Sequence, residues 1–167
     1  HNWYDHSDSR NPRIRTCSVH SYNNYFDGNA KYGVGVTMGA SAFVENNYFR
    51  NCKNPMMSSK QGTDTLGEKG TFTNETGGII KAYNNVIVGA SSYIPYAENN
   101  TSFDAYEVSS PSETVPSSVT ALSGGSTYNN FDTDSNIMYS YTADAPEDVP
   151  SIVTAHAGRV DGGDLQW

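Results

Sequence analysis

The stretch Ala42-Phe43-Val44-Glu45-Asn46-Asn47-Tyr48-Phe49 joins a short apolar run, a pair of asparagines and two aromatic residues. The same order occurs 23 residues earlier, where Ser18-Val19-His20-Ser21 leads to Tyr22-Asn23-Asn24-Tyr25-Phe26. It returns 38 residues later, where Ile79-Ile80-Lys81-Ala82 leads to Tyr83-Asn84-Asn85-Val86-Ile87. That larger gap is one repeat plus an insertion of about fifteen residues. A fourth pair, in Tyr128-Asn129-Asn130-Phe131, lies 45 residues further on and fits less closely. Apolar and β-branched runs read as strands, and paired asparagines read as bends. Val34, Val36 and Met38, alternating with Gly35 and Thr37, give another strand of period two. Strand, bend, strand and loop repeating at about 23 residues describe a solenoid of β-coils. The all-β fold expected is a right-handed parallel β-helix. Asparagines stacked at the bends would bond from coil to coil and satisfy amides that burial would otherwise orphan. The alternative is a β-sandwich with asparagine-rich hairpins. The constant place of the pair within each repeat favours the β-helix.

Composition agrees. Among 167 residues there are 17 Asn and 15 Gly, while charged residues make up only 17%. Asn and Gly disfavour helix interiors, which argues against a helical bundle. No run of about 20 apolar residues exists, so no membrane-spanning helix is expected. Aromatic residues at 12% are too many for a disordered chain. A net charge of −8 argues against nucleic acid as the main partner. The charge is unevenly placed. Residues 1–81 hold nine of the ten Lys and Arg against seven acids, whereas 82–167 hold Arg159 alone against eleven. Cations gathered in an acidic chain invite an anionic ligand beside them.

The chain divides into β-coils over 1–95, Ser/Thr-rich loops over 96–142, and a C-terminal helix and tail over 143–167. Asp148 near the start, Pro150 in the first turn and Gly158 after the last turn mark the helix. Such a helix can cover a solenoid's open edge. Cys17 and Cys52 are 35 residues apart, about one and a half coils. That puts them on opposite sides of the solenoid, too far apart to form a disulfide.

The segment Arg10-Asn11-Pro12-Arg13-Ile14-Arg15 carries the most pointed chemistry. Its three guanidinium groups repel one another unless an anion holds them. Arg13 and Arg15 fall on one side of an extended strand, with Ile14 on the other. Pro12 biases Asn11 towards extended geometry. A planar fork suits a carboxylate, so a uronate or phosphate is a fitting ligand. Pairing with Asp5, Asp8 or acids elsewhere is the plainer alternative. Other features weigh less. His1 and His20 could face a substrate but read first as packed or hydrogen-bonded residues, and Trp3, Tyr4 and Tyr25 read as core before they read as sugar platforms. Asp132-Thr133-Asp134 begins like a calcium loop but has Ile137 where Gly is required and Ala143 where Glu is required. Asn74-Glu75-Thr76 is a glycosylation sequon by pattern.

Taken together, His1-Asn2-Trp3-Tyr4, Arg10-x-Pro12-Arg13-x-Arg15 and Val19-His20-x-Tyr22-Asn23-Asn24-Tyr25-Phe26 resemble the pectate lyases of polysaccharide lyase family one. Val44-Glu45-Asn46-Asn47-Tyr48-Phe49, Asn54-Pro55 and Val149-Pro150-x-Ile152-Val153 extend the likeness. The resemblance implies a right-handed parallel β-helix that cleaves α-1,4-polygalacturonate by β-elimination, usually with calcium. It implies that Arg10 is the catalytic base and that Arg15 binds the uronate carboxylate. Arg13 is grouped with Arg15 as substrate-binding, although the motif gives it no specific role. The proton to be removed is α to a carboxylate and becomes acidic only when that charge is neutralised. A guanidinium, ordinarily protonated throughout the working pH range, becomes a base only where neighbouring cations depress its pKa, and high pH helps. Cys17 stands where the family often has Gly. The family's calcium-binding acids and a substrate-binding Lys lie upstream of the His-Asn segment. No metal ligand is therefore assigned within this chain. Calcium ligands are expected on an upstream segment, and an N-terminal part of the same polypeptide is the expected partner. The chain alone is expected to lack lyase activity. A secreted location follows from the resemblance. A pectin lyase acting on methyl-esterified chains, or a non-catalytic polysaccharide-binding β-helix, are the alternatives.

Overall fold

The computed structural model describes residues 1–64, 74–100, 102–121 and 127–158. Arg159 and the tail beyond it lie outside the described residues. Among the described residues, eleven short strands wind through three parallel sheets. The first coil is β1 (Trp3–Asp5), β2 (Arg13–Arg15) and β3 (Ser18–Tyr22). The second is β4 (Tyr25–Asp27), β5 (Tyr32–Thr37) and β6 (Ser41–Glu45). The third is β7 (Tyr48–Arg50), β8 (Asn54–Ser58) and β9 (Ile79–Tyr83). A partial fourth holds β10 (Val86–Val88) and β11 (Tyr106–Glu107). Sheet I is ordered β1-β4-β7-β10, sheet II β2-β5-β8 and sheet III β11-β9-β6-β3. This is the parallel β-helix that the repeat predicts, and the sandwich alternative falls.

The two asparagines of each pair do different jobs. Asn23, Asn46 and Asn84 sit in the left-handed region at φ 51°, 49° and 48°, a conformation Asn tolerates better than most residues. The second of each pair builds a ladder. Asn2 Nδ2 donates to Asn24 Oδ1 (2.8 Å), Asn24 Nδ2 to Asn47 Oδ1 (2.9 Å) and Asn47 Nδ2 to Asn85 Oδ1 (3.0 Å). Each acceptor also takes the backbone N–H of the residue one coil back. The ladder spans buried ground, where an orphaned amide costs about 1–3 kcal/mol. The fourth pair is not a coil bend. Asn130 instead ties Val115 through N–H and carbonyl contacts of 2.8 and 3.1 Å.

Side chains alternate as parallel strands demand. Ile14, Phe26, Val34, Val36, Ala42, Val44, Phe49, Met56 and Ile80 fill the coil interior. Tyr4, Phe26 and Phe49 stack from coil to coil with ring centroids 4.8 and 4.3 Å apart. Cys52 is buried in this core and Cys17 is exposed; both are free thiols, as their separation along the solenoid predicts.

A second core lies on the outer face of sheet III. Phe43 and Ile79 point outwards and are covered by Phe103, Val115, Val119, Ala121, Tyr128 and Phe131. Lys81, also outward-facing, is fully buried there. Its ammonium binds Asp132, donates to the Pro111 carbonyl (2.7 Å) and lies 4.8 Å from the Phe43 ring centroid. Asp132 belongs to a 3₁₀ turn, Phe131–Thr133, so its role is an internal ion pair. The helix α1, Val149–His156, lays Val149 and Val153 against Tyr25 on the outer face of sheet I. Asn23 and Asn46 fasten the approach to it by donating to the Asp144 carbonyl. Its start and Pro match the sequence signals.

Candidate active site

Sheet II carries the arginine segment on its outer face. Ile14 points inwards and is 7% exposed, which forces its neighbours Arg13 and Arg15 outwards on the same side. Both reach one carboxylate, Glu75. Arg13 Nη2 donates to it at 2.7 Å, and Arg15 Nε donates to both of its oxygens at 3.0 Å. The Arg13 side chain is only 6% exposed, whereas that of Arg15 is 46% exposed. The paired acid is therefore neither Asp5 nor Asp8, which engage His6 and Lys31.

The insertion that lengthens the third coil delivers Glu75. After β8 the chain leaves the coil and returns antiparallel to the end of β5, with a bridge between Thr37 and Gly77. Met38 N–H donates to the Thr76 carbonyl at 2.6 Å and Ser59 Oγ to the Glu75 carbonyl at 2.8 Å. Burial would push the Glu75 carboxyl upwards, but hydrogen bonds from Thr37, Arg13 and Arg15 outweigh it and leave the group at about 2. Because the folded value lies below the ordinary one near 4.5, Glu75 stabilises the fold at pH above that ordinary value. The contribution is lost as pH falls from there towards 2. Thermal melts of the parent and Glu75→Gln should differ at neutral pH and converge through that window. A gap that stayed constant down to about pH 2 would mean that the carboxylate's charge is not what the arginines hold.

Arg10 stands apart from this clamp. It lies on the approach to β2, is exposed, and adopts the left-handed region at φ 68°. Its Nη1 donates to Ser9 Oγ at 3.1 Å, and among the described residues it enters no ion pair. A left-handed position is costly for Arg and is tolerated where the neighbouring backbone fixes it. Asn11 N–H donates to the Gly33 carbonyl and Gly35 N–H to the Pro12 carbonyl, both at 2.9 Å, and Asn11–Pro12 is cis. The buried Tyr32 hydroxyl lies beside these groups. Burial pushes it upwards, and the fields of Arg10, Arg13 and Arg15 pull it down.

His20 is packed, whereas His1 is exposed and held by a hydrogen bond. His20 bonds Glu45 at 2.7 Å between two nearly buried side chains and stacks on Phe43 at 5.1 Å, while His1 meets Asp144 at 2.6 Å. Tyr4 stacks in the core and Tyr25 is buried under α1, but Trp3 is not core: it points outwards from β1, is 40% exposed and only stacks on Tyr25 at 6.1 Å. Among the described residues one group of metal-type ligands comes together: Asp5, His6 and Asp27. It does not suit calcium, which asks for six to eight oxygens. Asp27 is already gripped by Arg50 through bonds of 2.8 and 2.6 Å, which hold its carboxyl below the usual range.

A family model described as pectate lyase matches residues 1–161. The chain belongs to the pectate lyase family. A pectate trisaccharide-lyase of Bacillus licheniformis is 43% identical over 58 residues, 35% of this chain and 17% of that protein. Pectate lyase 3 of Pectobacterium carotovorum is 39% identical over 64 residues, 38% of this chain and 17% of that one. The solved structure of a pectate lyase double variant from Xanthomonas campestris is similar in fold, with a TM-score of 0.52 and 25% identity. It is matched over 93% of this chain and 39% of its own. This pectate lyase chain therefore spans about two fifths of that structure, and the matched stretch about a sixth of the curated relatives.

Sequence reasoning missed Glu75 and Tyr32 near the arginines. Tyr32 begins β5 but lies outside the alternation of Val34 and Val36, so nothing in the sequence marked its place beside the arginines. Glu75 had only its sequon pattern to mark it.

Proposed function

We propose that this chain supplies the arginine part of a pectate lyase site that cleaves α-1,4-polygalacturonate by β-elimination. Arg10 takes the proton α to the uronate carboxylate, Arg15 binds that carboxylate, and Arg13 supports Arg15 from the buried side. As the proton leaves, electrons form a double bond to the β carbon. The bond from that carbon to the glycosidic oxygen breaks, and the departing oxygen takes up a proton. The observation that carries this reading is the division of labour on sheet II in a chain of this family. Arg13 and Arg15 share an anion already, whereas Arg10 stands exposed beside them and outside their ion pair. Calcium belongs to the proposal as a cation held by carboxylates of an upstream segment of the same polypeptide, where it would neutralise substrate charge. Secretion belongs to it too, since the polymer is extracellular.

The test uses the polypeptide with its upstream segment. Polygalacturonate and highly methyl-esterified pectin are compared as substrates, with calcium and with a chelator. Cleavage of polygalacturonate that requires calcium is expected. Faster, chelator-insensitive cleavage of the methyl ester would replace this reading with a pectin lyase. Binding of both polymers without cleavage would replace it with a non-catalytic module.

A further inference from the structure

We infer that Glu75 is a positioning residue for substrate selection, holding Arg15 edge-on so that its outer nitrogens face an incoming carboxylate. The inference rests on the proposed role of Arg15. A guanidinium has two edges that can each grip an anion. Glu75 occupies only one donor of Arg15, the Nε, with both carboxylate oxygens at 3.0 Å. The Nη1 and Nη2 of Arg15 make no hydrogen bond among the described residues, and the side chain is 46% exposed. Glu75 itself cannot swing with Arg15. Arg13, at 6% exposure, holds one of its oxygens at 2.7 Å, and Ser59 and Met38 fix the backbone by binding the carbonyls of Glu75 and Thr76. A long, half-exposed arginine ordinarily loses rotamer freedom when it grips a ligand. Here that ordering is done in advance by an internal carboxylate, which is the general route by which preorganisation improves recognition.

Two effects of Glu75 oppose each other. Its negative charge repels the uronate, and its hydrogen bonds orient the fork that receives the uronate. The Glu75 charge is already matched by two guanidinium groups, which offsets the repulsion, while an aligned charge-assisted fork is among the stronger polar contacts. Orientation therefore wins, and Glu75 favours the free acid over its methyl ester, which offers no anionic oxygens to the fork.

The readout is the ratio of kcat/KM on polygalacturonate to that on highly methyl-esterified pectin, measured in the polypeptide with its upstream segment. Arg15→Ala serves as the reference and should lower the ratio about tenfold or more. Glu75→Ala should lower it to within a few fold of that reference. Glu75→Gln keeps an acceptor for Arg15 Nε and should leave the ratio within about threefold of the parent. Melting temperatures of all variants accompany the kinetics, because a purely structural role would lower melting and leave the ratio alone. A ratio that rises in Glu75→Ala or Glu75→Gln would show Glu75 to be a competitor for the arginines and overturn the inference. An unchanged ratio in Glu75→Ala, alongside a lowered one in Arg15→Ala, would overturn it equally. An unchanged ratio in Arg15→Ala would instead sink the role proposed for Arg15, and this inference with it.

Discussion

Arg10→Lys should lose about 10²–10⁴ of turnover while leaving KM within a few fold of the parent. The substitution keeps the positive charge, so the electrostatic attraction of a polyanion survives. What it removes is the planar fork, and a protonated ammonium has no site to accept a proton. Position makes Arg10 the residue to test. It is exposed at the edge of sheet II and among the described residues is engaged by Ser9 alone, whereas Arg13 and Arg15 are held by Glu75. Arg15→Ala should behave differently. It deletes a carboxylate contact made in ground and transition states alike, so KM should rise, with kcat falling only if the contact strengthens as charge develops. Parent turnover should climb through alkaline pH, because a base must be neutral to accept the proton. Steady-state kinetics on polygalacturonate, in the polypeptide with its upstream segment, separate these outcomes. Near-parent turnover in Arg10→Lys with weakened binding would make Arg10 a binding residue.

Lys81→Ala should destabilise the fold by about 3–5 kcal/mol. The substitution leaves Asp132 buried without its cation in an apolar layer formed by Phe43, Val115, Tyr128 and Phe131. Tyr128 still donates to Asp132 at 2.6 Å, and its own hydroxyl is pushed upwards by burial and by that carboxylate. One neutral donor does not replace an ammonium. Combining Lys81→Met with Asp132→Asn should recover most of the loss, since no lone charge remains and Tyr128 keeps an acceptor. Urea unfolding of Lys81→Met, Asp132→Asn and the double variant, alongside Lys81→Ala, reads this directly. Losses that simply add would mean that packing around the stem of Lys81, and not an unpaired charge, sets the cost.

Much of the fold was legible because the Asn ladder imposes it. A side chain that must bond its counterpart one coil away has to recur at the coil length, so Asn24, Asn47 and Asn85 announce the period. Helix α1 was legible for a local reason, its Pro near the start. The short rungs were not. Tyr106–Glu107 is two residues long and has no alternation to read, yet it extends sheet III beside Lys81 and Ala82. Arg13 and Arg15 on one face followed from period two alone. Their partner did not, because Glu75 lies 60 residues beyond Arg15, past an insertion whose return path depends on backbone pairing with Thr37 and Met38. Lys81 sits at an outward position on β9, which reads as solvent-facing. Only Pro111 and Asp132, brought over sheet III from far along the chain, turn it into a core residue. The rule common to these cases is distance: contacts fixed by a repeat or a cap are written locally, and contacts made by inserted loops are not.

The most direct test of the central claim, that the arginine segment serves β-elimination, is the chemistry of the product. Polygalacturonate is digested by the polypeptide with its upstream segment, and the new chain ends are identified by mass spectrometry and ultraviolet absorbance. The account predicts unsaturated uronide ends, formed by the parent and reduced about 10²-fold or more in Arg10→Lys. Saturated ends carrying an added water, or unsaturated ends formed by Arg10→Lys at the parent's rate, would contradict it.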